Sequence, residues 1–272
     1  MLAFPVVSGI LAIFAFLIIG GIGFAALGWS QVEADATTGE VSDGSLIVGV
    51  VVLFVAAYVA TLITQTFMGG LVKCADEELQ GRDSSFGAGL SASLSRLPAL
   101  MGWALIETIV GWLISAVQGN GANDNILVTI LRAILASLMA VAWTIITFFV
   151  LPLIILRGKG PVQAIKESVR LIRATWGMQV AGGLRIGGII GLIAVLPAIL
   201  VTVAGGFIAI AGTPALGVPI ATIGVIVIIA ASVLINAMKA IFSVALLHYV
   251  EGTGALGPFS EQELHSAVRV RG

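Results

Sequence analysis

The sequence predicts an all-α membrane protein, a polytopic bundle of six transmembrane helices. Three observations lead to this fold class: 59% of the 272 residues are hydrophobic, only 10% are charged, and the mean hydropathy is +1.14. Soluble domains have about 25% charged residues, so this chain has too few polar side chains to cover a water-soluble particle. The composition therefore excludes soluble and disordered proteins. The net charge of −1 gives no field that would attract nucleic acid.

Six stretches are apolar over the roughly 20 residues that a transmembrane helix needs. These predicted spans cover residues 3–29, 46–72, 98–117, 126–156, 180–211 and 217–249. Several are longer than the minimum, so we expect tilt, or a kink at Pro152 and Pro197. The first stretch has no basic residues ahead of its apolar part, so we interpret it as a retained span. We treat residues 1–272 as a single membrane domain.

The charges between the spans predict the orientation. Residues 30–45 contain four acidic residues and no basic ones. Eleven of the thirteen basic residues fall on the other side of the predicted membrane, which the positive-inside rule makes cytoplasmic. Because the number of spans is even, we expect both termini in the cytoplasm and the protein in the cell (inner) membrane.

The ends of spans two, four and six share one pattern: a phenylalanine, two residues, a small residue or proline, a leucine and an aliphatic residue. These repeat segments are residues 67–72, 149–154 and 242–247. A linker containing glycine and a candidate amphipathic helix follow each one, and these helices cover residues 84–97, 161–177 and 260–270. The pattern predicts three units, each a two-span hairpin followed by a cytoplasmic interfacial helix.

The predicted helix over residues 161–177 has a basic face and an apolar face. Lys166, Arg170, Arg173 and Trp176 are candidate contacts with anionic lipid or with a partner. The alternative is an elbow that only sets the positions of the spans. By contrast, the acidic run Asp76, Glu77, Glu78 and Asp83 is typical of a solvated linker.

Residues 69–83, 164–177 and 245–254 carry a resemblance to known proteins. They resemble a group of uncharacterised six-span prokaryotic integral membrane proteins. That group is distantly similar to the membrane domain attached to some glycerophosphodiester phosphodiesterases. The resemblance covers nearly the whole chain, and it implies no catalytic residues because the group has none established.

Ionisable residues inside spans are costly unless paired, so they are candidate functional residues. Glu107 in span three and Lys239 in span six both lie roughly 15 Å from the predicted inner face, at about 1.5 Å per residue. Asn236 precedes Lys239 by one helical turn and shares its face, and Arg132 is a second candidate partner for Glu107. These residues line a polar path, or they form an ion pair that fixes the register of the helices.

Glycine spacing predicts where helices pack closely. Gly183, Gly187 and Gly191 form a ridge of small residues in span five, as in tightly packed transmembrane helices. One cysteine and two histidines give no recognisable metal site.

These observations favour a non-catalytic scaffold or accessory subunit of a membrane complex. Its expected partners are membrane lipids and other membrane protein subunits or further copies of itself. The alternative is a small transporter or channel with a polar path between spans three and six. An intramembrane enzyme ranks last, because the sequence has no paired carboxylates, histidine cluster or nucleophile motif. We expect no cofactor.

Overall fold

The computed structural model describes residues 3–27, 43–119, 125–175, 196–210 and 213–251. All regular secondary structure in these ranges is helical, as predicted. The helices are α1 (Ala3–Leu27), α2 (Asp43–Leu79), α3 (Phe86–Leu94), α4 (Leu97–Gln118), α5 (Ile126–Ile146), α6 (Val150–Arg157), α7 (Pro161–Thr175), α8 (Leu196–Ile210) and α9 (Pro214–Val250).

Five stretches in the described ranges are long and apolar enough to cross a membrane. They lie in α1, α2, α4, the consecutive helices α5 and α6, and α9. This number of apolar helices is typical of a multi-pass membrane protein. The shorter helix α8 is also apolar, and it forms part of the predicted span over residues 180–211. Residues 180–195 of that span lie outside the described residues.

Helix α2 is at the centre of the bundle and packs against α1, α3, α4, α6 and α9. Helix α8 packs along α9, and α7 contacts α4, α5 and α6. Both α2 and α9 contain 37 residues, so each is about 55 Å long at 1.5 Å per residue. A hydrocarbon layer is about 30 Å thick, so each helix is much longer than one crossing requires.

The buried core lies at one end of the bundle, which we call the packed end. It comprises the C-terminal parts of α2 and α9, helix α6, and the first turns of α1 and α4. Its most deeply buried large side chains are Phe4, Leu71, Val72, Leu100, Phe149, Val150, Leu153, Ile154, Val244, Leu246 and Leu247. All three repeat segments contribute to this core, so the shared sequence pattern is a packing motif.

The predicted kink in the fourth span occurs between α5 and α6, at residues 147–149. Pro152 lacks an N–H group, and its ring conflicts with the carbonyl group four residues earlier. Ser168 of α7 fills this break: its hydroxyl donates to the carbonyl oxygen of Ile146 at 2.6 Å and accepts from the amide of Phe149 at 3.3 Å. The break in the span is therefore the docking point of α7.

Helix α3 docks on the bundle in a similar way. The hydroxyl of Ser93 donates to the carbonyl oxygen of Thr66 in α2 at 2.6 Å, and Ser93 and Ser168 are both 0% exposed. Helices α3 and α7 correspond to the amphipathic helices predicted over residues 84–97 and 161–177. The helix predicted over residues 260–270 lies outside the described residues, so the third unit stays a prediction.

Candidate functional site

A polar cluster lies at the packed end, one turn beyond the buried apolar residues Leu71 and Val72 of α2. Its centre is Asp76, whose Oδ1 is 2.6 Å from Nε2 of His248 on α9. These side chains are only 6% and 7% exposed. Nε2 of Gln80 donates to the same oxygen at 2.7 Å, and Nζ of Lys73 is 3.6 Å from Oδ2. Both oxygens of this buried carboxylate thus have partners, as a buried charge requires. We call these four residues the Asp76 cluster.

A second ion pair lies beside the Asp76 cluster. Nε of Arg157, at the end of α6, donates to Oε1 of Glu251 at 3.1 Å. A second guanidinium nitrogen of Arg157 contacts Oε2 of the same carboxylate. Two parallel hydrogen bonds of this kind are the strong form of an arginine–carboxylate pair. This pair joins α6 to the end of α9.

These groups surround a cavity of about 230 Å³ at the packed end. Its lining includes Lys73, Asp76, Gln80, Ser95, Arg96, Arg157 and His248. The guanidinium group of Arg96 lies directly over Gly158, where a Cβ atom would be 2.9 Å from one of its nitrogens. Gly158 also has a φ of +64° and ends α6, so glycine suits this position for two reasons. We call this space the packed-end cavity.

The structure gives Glu107, Arg132 and the neighbouring residues Asn236 and Lys239 three different surroundings. Glu107 of α4 accepts a hydrogen bond from Nε2 of Gln65 on α2. Nη1 of Arg132 donates to the carbonyl oxygen of Gly119 at 3.0 Å, while Asn236 and Lys239 are exposed on α9. Among the described residues, no salt bridge joins Glu107 to Lys239 or Arg132. The polar path and the register-fixing ion pair both stay predictions.

The predicted basic face of α7 borders a groove of about 430 Å³, lined by Lys166, Val169, Arg170 and Arg173. Arg170 also forms an ion pair with Glu167 on the same helix. Trp176 and the predicted ridge of Gly183, Gly187 and Gly191 lie outside the described residues. Across the ranges that the structure covers, no three His, Cys, Asp or Glu side chains are grouped to hold a metal ion.

Comparison with known proteins places the chain in a family. The model of one protein family, described as a family of unknown function (DUF6159), matches residues 46–257. This range is most of the 272-residue chain. The chain belongs to the DUF6159 family. No curated protein and no solved structure matched it. The matched range of DUF6159 begins three residues into α2 and extends beyond α9, so it includes every residue of the packed-end cavity named above.

One sequence pattern in this DUF6159 protein indicates the position of the Asp76 cluster. Val72, Asp76 and Leu79 are spaced by four and three residues, which places them on one face of a helix, and all three are buried. The prediction that the acidic run is a solvated linker is therefore wrong for Asp76. It fits Asp83, which is exposed between α2 and α3, whereas Glu78 is exposed but belongs to the last turn of α2. The apolar periodicity of α2 continues through Asp76 and marks it as an inward-facing carboxylate.

Proposed function

We propose that this chain is a non-catalytic membrane protein of six spans that acts as a scaffold or accessory subunit of a membrane complex. Both termini face the cytoplasm of the cell (inner) membrane. The packed end then faces the cytoplasm too, because Lys73, Arg96, Arg157 and Lys159 lie there and basic residues favour that side. The basic residues of α7 contact the headgroups of anionic lipids at the same level.

The observation that carries this proposal is the position of Lys239. It is the only Lys, Arg, Asp or Glu residue in the 37 residues of α9, and its side chain is exposed next to exposed Asn236. Within the described residues it has no salt-bridge partner. At roughly 15 Å from the predicted inner face, an amine that faces lipid costs at least about 2.5–3.5 kcal/mol. A transmembrane helix of another subunit, with a carboxylate against this face, would remove that cost.

Native mass measurement after purification from native membranes in mild detergent tests this proposal. We expect the wild-type chain to elute with a second membrane protein at fixed stoichiometry. Lys239→Met removes the charge and should release that protein, whereas Lys239→Arg keeps the charge and should retain it. A wild-type chain that elutes alone, or only with copies of itself, contradicts the accessory-subunit role.

A transporter or channel is the second candidate, and the Gln65–Glu107 pair is the observation that favours it. This pair joins α2 to α4 within two apolar helices. Proton flux into proteoliposomes, followed with a pH-sensitive dye, separates the candidates. Flux by the wild type that Glu107→Gln abolishes without loss of folded protein would favour transport. Under the proposed subunit role, neither the wild type nor Glu107→Gln produces flux.

A distant relationship between this family and a second group of membrane domains is part of the same proposal. Residues 69–83, 164–177 and 245–254 support a distant similarity to the membrane domain attached to some glycerophosphodiester phosphodiesterases. In such an arrangement the membrane bundle has a structural role, and another domain or chain has the activity. A structural role of this kind is consistent with the accessory function proposed for this chain.

A further inference from the structure

We propose that the packed-end cavity binds a phosphate group. Three basic side chains line it, Lys73, Arg96 and Arg157, against one acidic side chain, Asp76. Arginine is well suited to phosphate, because its planar guanidinium group presents paired N–H donors to two oxygens. Glu77 and Glu251 offset the charges of Lys73 and Arg157, so the guanidinium group of Arg96 supplies the positive charge and the paired donors that a phosphate ligand needs.

The local ion pairs leave Arg96 available for such a ligand. His248, Gln80 and Lys73 already surround the carboxylate of Asp76, and Arg157 is held by Glu251. The side chain of Arg96 makes no ion pair with any residue that the structure describes. Its guanidinium group rests against the backbone of Gly158, which limits its freedom and presents its donors at the edge of the cavity.

The size of the cavity restricts the ligand to a small group. Pockets for drug-sized molecules measure about 300–1,000 Å³, whereas this cavity measures about 230 Å³. It lies one turn beyond the apolar residues Leu71 and Val72 of α2, at the level that lipid headgroups occupy next to a hydrocarbon layer. The phosphate can come from an anionic phospholipid or from a small soluble phosphate ester such as glycerol 3-phosphate.

Isothermal titration of the purified full-length chain in mild detergent distinguishes these sources. The probes are dihexanoyl phosphatidylglycerol, glycerol 3-phosphate and dihexanoylglycerol, which has the acyl chains but no phosphate. We expect binding of at least one phosphate probe and none of dihexanoylglycerol. Binding of the lipid alone identifies a headgroup site, and binding of glycerol 3-phosphate identifies a site for soluble esters; both results support the proposal.

Variants of Arg96 test whether the binding occurs in this cavity. Arg96→Gln should weaken binding at least about tenfold, because hydrogen bonds to charged groups are the strong ones. Arg96→Lys keeps the charge without the paired donors and should lose less. Lys159→Gln is the matched control: it removes one positive charge near the cavity, from a residue outside the lining that pairs with Glu167, and should change affinity less than about twofold.

Three results would overturn the proposal. The first is a folded wild-type chain that binds neither phosphate probe. The second is equal binding of dihexanoylglycerol, which would mean that only the acyl chains are recognised. The third is an equal loss in Arg96→Gln and Lys159→Gln, which would mean a general effect of surface charge. Elution of each variant at the wild-type volume shows that it is folded. If Arg96→Gln does not elute there, Arg96→Lys is compared with Lys159→Gln in its place.

Discussion

Asp76 joins three parts of the packed end through one buried carboxylate. Its partners are Lys73 on its own helix, Gln80 and Arg82 in the following turn, and His248 on α9. We expect Asp76→Ala to lower the free energy of unfolding by about 2–4 kcal/mol, because it leaves the buried ring of His248 and the side chains of Lys73 and Gln80 without the carboxylate that they share. Titration of the detergent-solubilised protein with SDS, followed by circular dichroism, measures this loss.

Asp83→Ala is the matched control for this prediction. Asp83 belongs to the same acidic run but is exposed, so its removal should change the free energy of unfolding by no more than about 0.5 kcal/mol. Equal losses in the two variants would show that the negative charge of the run matters and that the geometry of the Asp76 cluster does not.

The partners of single residues were the least predictable feature of the molecule. The rise per residue predicts that Glu107 and Lys239 lie at the same depth in the membrane. Depth along a helix does not define how that helix is rotated about its axis. The structure turns Glu107 toward Gln65 on α2 and leaves Lys239 on the exposed surface of α9. Asp76 and His248 are 172 positions apart, and periodicity within one helix cannot indicate such a partner on another.

At the scale of the helices, close packing between α8 and α9 depends on individual glycines. A Cβ atom at Gly205 would lie 2.8 Å from the carbonyl oxygen of Gly217 and 2.9 Å from the Cα atom of Ala221, whereas one at Gly206 meets nothing within 4 Å. Backbone atoms cannot move aside as a side chain does. We expect Gly205→Ala to lower the free energy of unfolding by about 1–3 kcal/mol.

Gly206→Ala provides an internal comparison on the same helix. Alanine has a higher helix propensity than glycine, so this variant should be neutral or more stable by up to about 1 kcal/mol. The same SDS titration applies to both variants. Similar effects at the two positions would contradict the packing that the structure gives to this hairpin.

The helices themselves were more predictable than their contacts. Apolar length identified the described spans, and the 3.6-residue period identified the helices that became α3 and α7. The repeat segments indicated a common environment, and they meet in one core. The docking role of Ser93 and Ser168 could not be predicted from the sequence. Serine is common in amphipathic helices, and the carbonyl group that each hydroxyl binds lies on a different helix.

At the scale of the whole molecule, the distribution of charge predicts which end faces the cytoplasm. A chain with Cys74→Ala has no cysteine, since Cys74 is the only one. Asp83→Cys then places a thiol at the packed end, and Asn125→Cys places one at the start of α5, where the chain emerges at the other end; both positions are exposed. A membrane-impermeant maleimide should label Asn125→Cys in right-side-out vesicles and Asp83→Cys in inverted vesicles.

This labelling also determines which phosphate compounds can reach Arg96. If the packed end faces the cytoplasm, the cavity is open to the inner leaflet and to soluble metabolites of the cell. Labelling of Asp83→Cys in right-side-out vesicles would contradict the predicted orientation and would place the cavity on the outer face. The basic residues near Arg96 would then face away from the side that the positive-inside rule requires, and the lipids available to the cavity would be those of the outer leaflet.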